Sequence, residues 1–115
     1  MIDRQTAEHY TWGSMCDGWH LVQGSALSVI EERMPPGTRE VRHFHQRAAQ
    51  FFYVLRGVLS VEIQGSEVDL NGGQGIEIAA GQTHEVRNKS AADVEFLVIS
   101  CPPSRGDRVV CHAAQ

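Results

Sequence analysis

Short runs of apolar and β-branched residues recur along the chain, and no window carries the period of an amphipathic helix. Strands are predicted over residues 19–23, 27–34, 41–45, 50–56, 58–63, 67–70, 75–79, 85–88 and 94–100. Between them stand Gly24-Ser25, Pro35-Pro36-Gly37, Gly57, Gly65-Ser66, Asn71-Gly72-Gly73, Gly81-Gln82 and Asn88-Lys89-Ser90, each supplying a conformation that strand interiors avoid. Many short strands at near-regular spacing must close or double their sheet to manage its edges, so an all-β sandwich or barrel is expected. Pro102-Pro103 breaks the pattern, because consecutive prolines cannot donate to a ladder. The pattern divides the chain into an N-terminal strand segment over 1–24, a barrel over 25–101 and a C-terminal tail over 102–115.

In Phe51-Phe52-Tyr53-Val54-Leu55 and Phe96-Leu97-Val98-Ile99 both strand parities are apolar, so the outer face of this sheet should also be covered. A second copy of the chain is the expected cover, giving a homodimer.

Length and composition narrow the classes. A chain of 115 residues with 42% hydrophobic and 21% charged residues suits one folded domain. The net charge of −4 and the scattered Lys and Arg residues leave no phosphate-tracking stripe, which excludes nucleic acid as an expected partner. No stretch approaches the ~20 apolar residues of a membrane span, and the N-terminus runs straight into polar residues, so a cytoplasmic protein is expected. Cys16, Cys101 and Cys111 lack the spacing of a zinc knuckle or redox motif and read as free thiols.

The candidate chemistry is a histidine constellation. His43 and His45 stand two apart in a strand, so both imidazoles leave one face and could bind one metal ion. Gln50 follows at an odd offset, which requires a turn at residues 46–49 before its amide can approach them. His84 comes from a later strand, after Gly81-Gln82. Phe52 and Val54 share the parity of Gln50, and Val86 and Asn88 that of His84, so these four are expected to line a mainly apolar substrate pocket. His9, His20 and His112 have no partner at ligand spacing and read as surface residues.

At these positions the chain resembles the cupin superfamily. The family's first motif falls on Gly37, His43, His45, Gln50 and Gly57, and its second on Gly73, Ala79, Gly81, His84 and Asn88. Two departures stand out: Gln50 replaces the usual glutamate ligand, and Ala79 replaces the usual proline. The resemblance implies a double-stranded β-helix, or jelly-roll barrel, holding one divalent ion. It also implies pairing in which the 1–24 segment is exchanged. Gln50 either ligates through its neutral carbonyl oxygen or leaves a three-histidine site with water in the fourth position.

The expected function is that of a metal-binding small cupin acting on a small organic molecule. A non-haem, metal-dependent dioxygenase is the first reaction class, with iron as the ion; nickel, zinc or manganese would suit Lewis-acid isomerase or lyase chemistry. A non-catalytic binding module is the second class, and a purely structural dimer the third. An acid or base facing the cavity would separate proton-transfer chemistry from the others, and Glu31, Glu77 and Tyr53 are the candidates that the sequence offers.

Overall fold

The computed structural model describes residues 1–111 and contains eleven β-strands and no helix among them. In chain order these are β1 (Glu8–Trp12), β2 (Cys16–Gln23), β3 (Ser28–Met34), β4 (His43–His45), β5 (Ala49–Arg56), β6 (Val58–Ile63), β7 (Ser66–Asn71), β8 (Gly75–Ile78), β9 (His84–Arg87), β10 (Val94–Cys101) and β11 (Arg108–Val110). They form a six-stranded sheet, β1-β2-β3-β10-β5-β8, and a five-stranded sheet, β11-β4-β9-β6-β7, with every pairing antiparallel. This is the expected all-β jelly-roll architecture.

Alternation along the strands builds the core between the sheets. Val94, Phe96, Val98 and Ser100 are buried along β10, while Glu95, Leu97 and Ile99 between them face outward. Phe52 and Val54 from β5, Leu59 and Val61 from β6, Ile78 and Val86 fill the same interior, with Phe52 stacked on Phe96 at 6.0 Å between centroids. Gly57 turns the chain from β5 into β6 at φ 90°, and a Cβ there would stand 2.5 Å from the Asp93 carbonyl oxygen, so only glycine fits.

Two strands lie outside the sequence pattern. β1 pairs with β2 along its whole length, from Glu8↔His20 to Trp12↔Cys16, and so widens the larger sheet within one chain. β11, in the segment that the prolines seemed to remove from the barrel, pairs with β4 through Arg108↔His45 and Val110↔His43. The strand carrying two candidate ligands is therefore flanked by β11 and β9 and is not a sheet edge. His112 lies outside the described residues.

Candidate metal centre and its cavity

β4 presents His43 and His45 on one face, as their two-residue spacing requires, and the pairing His43↔His84 brings in the third imidazole from β9. The three rings lie 4.5 to 5.9 Å apart between centroids. One ligand atom from each lies within 4.8 Å of the others, and all three residues are buried. This group could hold a metal ion.

Each imidazole is oriented through Nδ1. His43 Nδ1 donates to the Val41 carbonyl oxygen at 2.7 Å, and His84 Nδ1 to that of Gln82 at 3.0 Å. His45 Nδ1 donates to Asp107 Oδ1 at 2.8 Å. With Nδ1 occupied, Nε2 is left as the ligand atom, the arrangement seen around metal-binding histidines generally. Burial holds His43 down to a pKa of about 3, and also pushes His84 below the ordinary imidazole range, so both rings are neutral and able to ligate near neutral pH.

Asp107 is a second-layer residue that carries no motif. It sits just before β11 and its other oxygen, Oδ2, accepts the backbone N–H groups of Arg47 and Ala48 at 3.0 and 2.9 Å. Burial pushes this carboxyl upward, but the Ala48, Arg47 and His45 donors outweigh it and leave its pKa below the usual carboxylate range. It therefore stays ionised, fixes the His45 ring and pins the 46–49 turn that precedes Gln50.

Gln50 is buried and lies opposite Ser100 in the β5–β10 register. Its Nε2 donates to Ser100 Oγ at 3.0 Å, while its Oε1 is buried without a hydrogen-bond partner among the described residues. His84 Nε2 is likewise buried and unpartnered. An unsatisfied buried polar group costs about 1–3 kcal/mol. Two of them, one on Gln50 and one in the close group of three imidazoles, make a donor set that fits a divalent ion.

The cavity has a volume of about 220 Å³. Phe52 lines it, together with Trp12, Ile30 and Val98. Val54, Val86 and Asn88, expected in the pocket, point inward as their parity requires but pack at the filled end of the barrel, away from its walls. The Asn88 amide is committed there, with Nδ2 donating to the carbonyl oxygens of Met34 and Ala92.

The cavity is also more polar than expected, because Glu40 lines it from between two motif positions, and Tyr10, Glu32, Ser104 and Arg108 from segments that the motifs do not cover. None of the three expected acid or base candidates does so. Glu31 pairs with Arg4 on the outer face, Glu77 is exposed, and Tyr53 stacks on Phe51. The missed residue Glu32 was legible in principle: Ile30 and Met34 set the inward parity of β3, and Glu32 shares it. A wider groove of about 690 Å³ shares Ile30 and Ser104 with the cavity and is bordered by His20, Arg47, Pro103 and Arg105.

A double-sheet barrel with a convergent histidine group at one end of its interior defines a class of small β-barrel proteins that could hold a metal ion. The family model described as "Cupin domain" matches residues 30–100, and the chain belongs to that family. Among curated relatives, the chain is 32% identical over 59 residues to a quercetin 2,3-dioxygenase of Bacillus subtilis, covering 51% of this chain and 18% of that protein. It is 29% identical over 72 residues to the tetracenomycin polyketide synthase protein TcmJ of Streptomyces glaucescens, covering 61% and 48%. The chain thus matches less than half the length of either. Among solved structures, the polyketide cyclase RemF of Streptomyces resistomycificus superposes with a TM-score of 0.83 at 18% identity, covering 100% of this chain and 87% of that one. That likeness shows the shared fold.

Proposed function

We propose that the protein is a metal-dependent enzyme acting on a small carbonyl compound, its ion held by His43, His45, His84 and Gln50. The observation that carries this reading is the pair of buried, unpartnered atoms, Gln50 Oε1 in the cavity wall and His84 Nε2 in the histidine group whose other two imidazoles line that wall. A divalent ion bound there would supply Lewis-acid polarisation of a carbonyl oxygen.

The chain's own residues then set the character of the site. All four donors are neutral, so the ion's charge is left to be met by an anionic oxygen of the substrate. Asp107 lies behind His45 and would stiffen the donor set without entering it. Trp12, Ile30, Phe52 and Val98 offer an apolar wall to the carbon part of a substrate. The carboxyl groups of Glu32 and Glu40 in the same cavity favour proton transfer over the oxygenase chemistry expected from sequence. Resemblance to the polyketide cyclase is in keeping with carbonyl chemistry.

The oxygenase reading is the second one, supported by the partial match to quercetin 2,3-dioxygenase. Elemental analysis of untagged protein tests the common ground: near-stoichiometric divalent metal is expected, and His45→Ala should lower it to near zero in a folded chain. Full metal content in that variant would overturn the ligand assignment. Substrate-dependent oxygen uptake by the iron-loaded protein would move the reaction to the dioxygenase class.

A further inference from the structure

Glu32 and Glu40 reach the cavity from different elements, β3 and the loop before β4, and both are half-buried along its wall. Glu32 is held by the β1–β2–β3 register, in which Tyr10 lies opposite Gly18 and Gly18 opposite Glu32. The missing side chain at Gly18 leaves room for the Tyr10 ring, since a Cβ there would stand 2.2 Å from Tyr10 Cζ. Lying over that glycine, Tyr10 donates its O–H to Glu32 Oε2 at 2.9 Å. Glu40 Oε1 accepts the Val86 N–H at 3.2 Å.

The remaining oxygens, Glu32 Oε1 and Glu40 Oε2, have no hydrogen-bond partner among the described residues. Arg108 lines the cavity from β11 and has no carboxylate ion pair among the described residues. The unpartnered Oε1 of Gln50, in a residue only 6% exposed, faces the same space. Two carboxyl groups with free oxygens, one unpaired cation and a vacant donor thus share one small chamber.

We propose that Glu32 and Glu40 act as general base and general acid on an enolisable 2-oxo acid, whose carboxylate Arg108 and the ligand end of the cavity receive. This rests on the metal-dependent reading and deepens it. Ionised Glu32, steadied by the Tyr10 hydroxyl, takes a proton from the carbon beside the carbonyl. The C–H electron pair becomes the carbon–carbon double bond of the enolate, and the carbonyl π pair moves to oxygen. Glu40 gives its proton to the enolate, so nothing is oxidised and no group leaves. A 2-oxo acid fits because its adjacent carboxylate and carbonyl oxygens supply the negative charge that four neutral donors leave unmet.

The electrostatics are consistent with one shared proton. Burial pushes Glu32 up to about 7, against the Tyr10 O–H and the charge of Arg108. Burial, then the charge of Glu32, push Glu40 up to about 8, with Glu85 adding to the rise and Arg108 and the Val86 N–H opposing it. The groups around the pair are Tyr10 from β1, Cys16 from β2, His43 and His45 from β4, Glu85 from β9 and Arg108 from β11.

The test uses the zinc-loaded chain and 2-oxobutanoate in D2O, with loss of the C3 proton signal followed by NMR. The native chain should catalyse exchange, and Glu32→Gln and Glu40→Gln should each slow it by about 100-fold or more while keeping full zinc content. Infrared spectra of the metal-free chain give an independent reading. A protonated-carboxyl band should persist at about pH 7 and vanish as pH rises beyond about 8. Should the glutamine variants not fold, Tyr10→Phe should move that titration upward, because it removes a donor to ionised Glu32. Unchanged exchange in both zinc-bound glutamine variants, no exchange by the native zinc-loaded chain, or no protonated carboxyl at about pH 7 would overturn the proposal. Failure of the native chain to bind zinc, iron, nickel or manganese would sink the metal reading instead, and the infrared titration would still decide whether the pair holds its proton.

Discussion

Asp107 has the largest indirect influence on the site of any single side chain. Its two oxygens serve three donors, one on a candidate ligand and two on the turn that delivers another. Asp107→Asn keeps the shape but loses the charge and one of the acceptor positions, and its amide must turn an N–H toward either His45 or the 46–49 turn. Metal affinity should fall by about 10–100-fold, with little change in fold, as measured by competition against a chromogenic chelator. An unchanged affinity would mean that His45 is oriented by packing alone. The sequence offered no route to Asp107, which lies 62 residues from His45 and outside every motif. Glu32 differs: its strand is predicted and Ile30 and Met34 set its parity inward, whereas the neighbouring Glu31 has the outward parity.

At the scale of elements, the strands that alternation made legible are those with a buried face between the two sheets. β4, β5, β6, β9 and β10 carry apolar or motif residues at every second position, and the core forces them into register. β1 and β11 escaped because they are short and mostly polar edge strands with Trp12 and Val109 as the main apolar anchors, whereas the edge strands β7 and β8 carry Val68 and Leu70, and Ile76 and Ile78, at alternate positions. The two unpredicted strands supply the cavity's Tyr10, Trp12 and Arg108, and Asp107 directly precedes β11. The sequence therefore placed the strands of the candidate ligands and of Glu32 correctly while missing the two elements that add Tyr10, Trp12 and Arg108 to the same space. A chain ending after residue 105 should keep the β-rich circular dichroism of the barrel but lose metal affinity at least as far as Asp107→Asn does. Native affinity in that truncated chain would show that β11 has no part in organising the site.

For the whole molecule, the outer face of the six-stranded sheet remains the unexplained surface. Phe51 and Leu55 are 39% and 44% exposed, and Leu97 and Ile99 lie half-buried beside them. Arg4 folds over part of this face, 4.2 Å from the Trp19 ring centre and paired with Glu31 and Glu95, leaving the Phe51–Tyr53 region open. The expectation from sequence is that a second copy covers it. Sedimentation at micromolar concentration should then show a dimer, and Phe51→Glu with Leu97→Glu should give a folded monomer. A native monomer would remove the second copy from the account.

The seam between β11 and β4 also bears on how the chain comes to be assembled. Synthesis delivers His43, His45 and His84 well before Asp107, which follows ten of the eleven strands. A growing chain therefore displays its imidazoles while the carboxylate that aligns one of them is still unmade, and contacts so distant in sequence are late to close. Selectivity for an ion bound there would thus be acquired only once Asp107 has been made, and a metal met earlier would be judged by a looser set of ligands than the finished barrel provides.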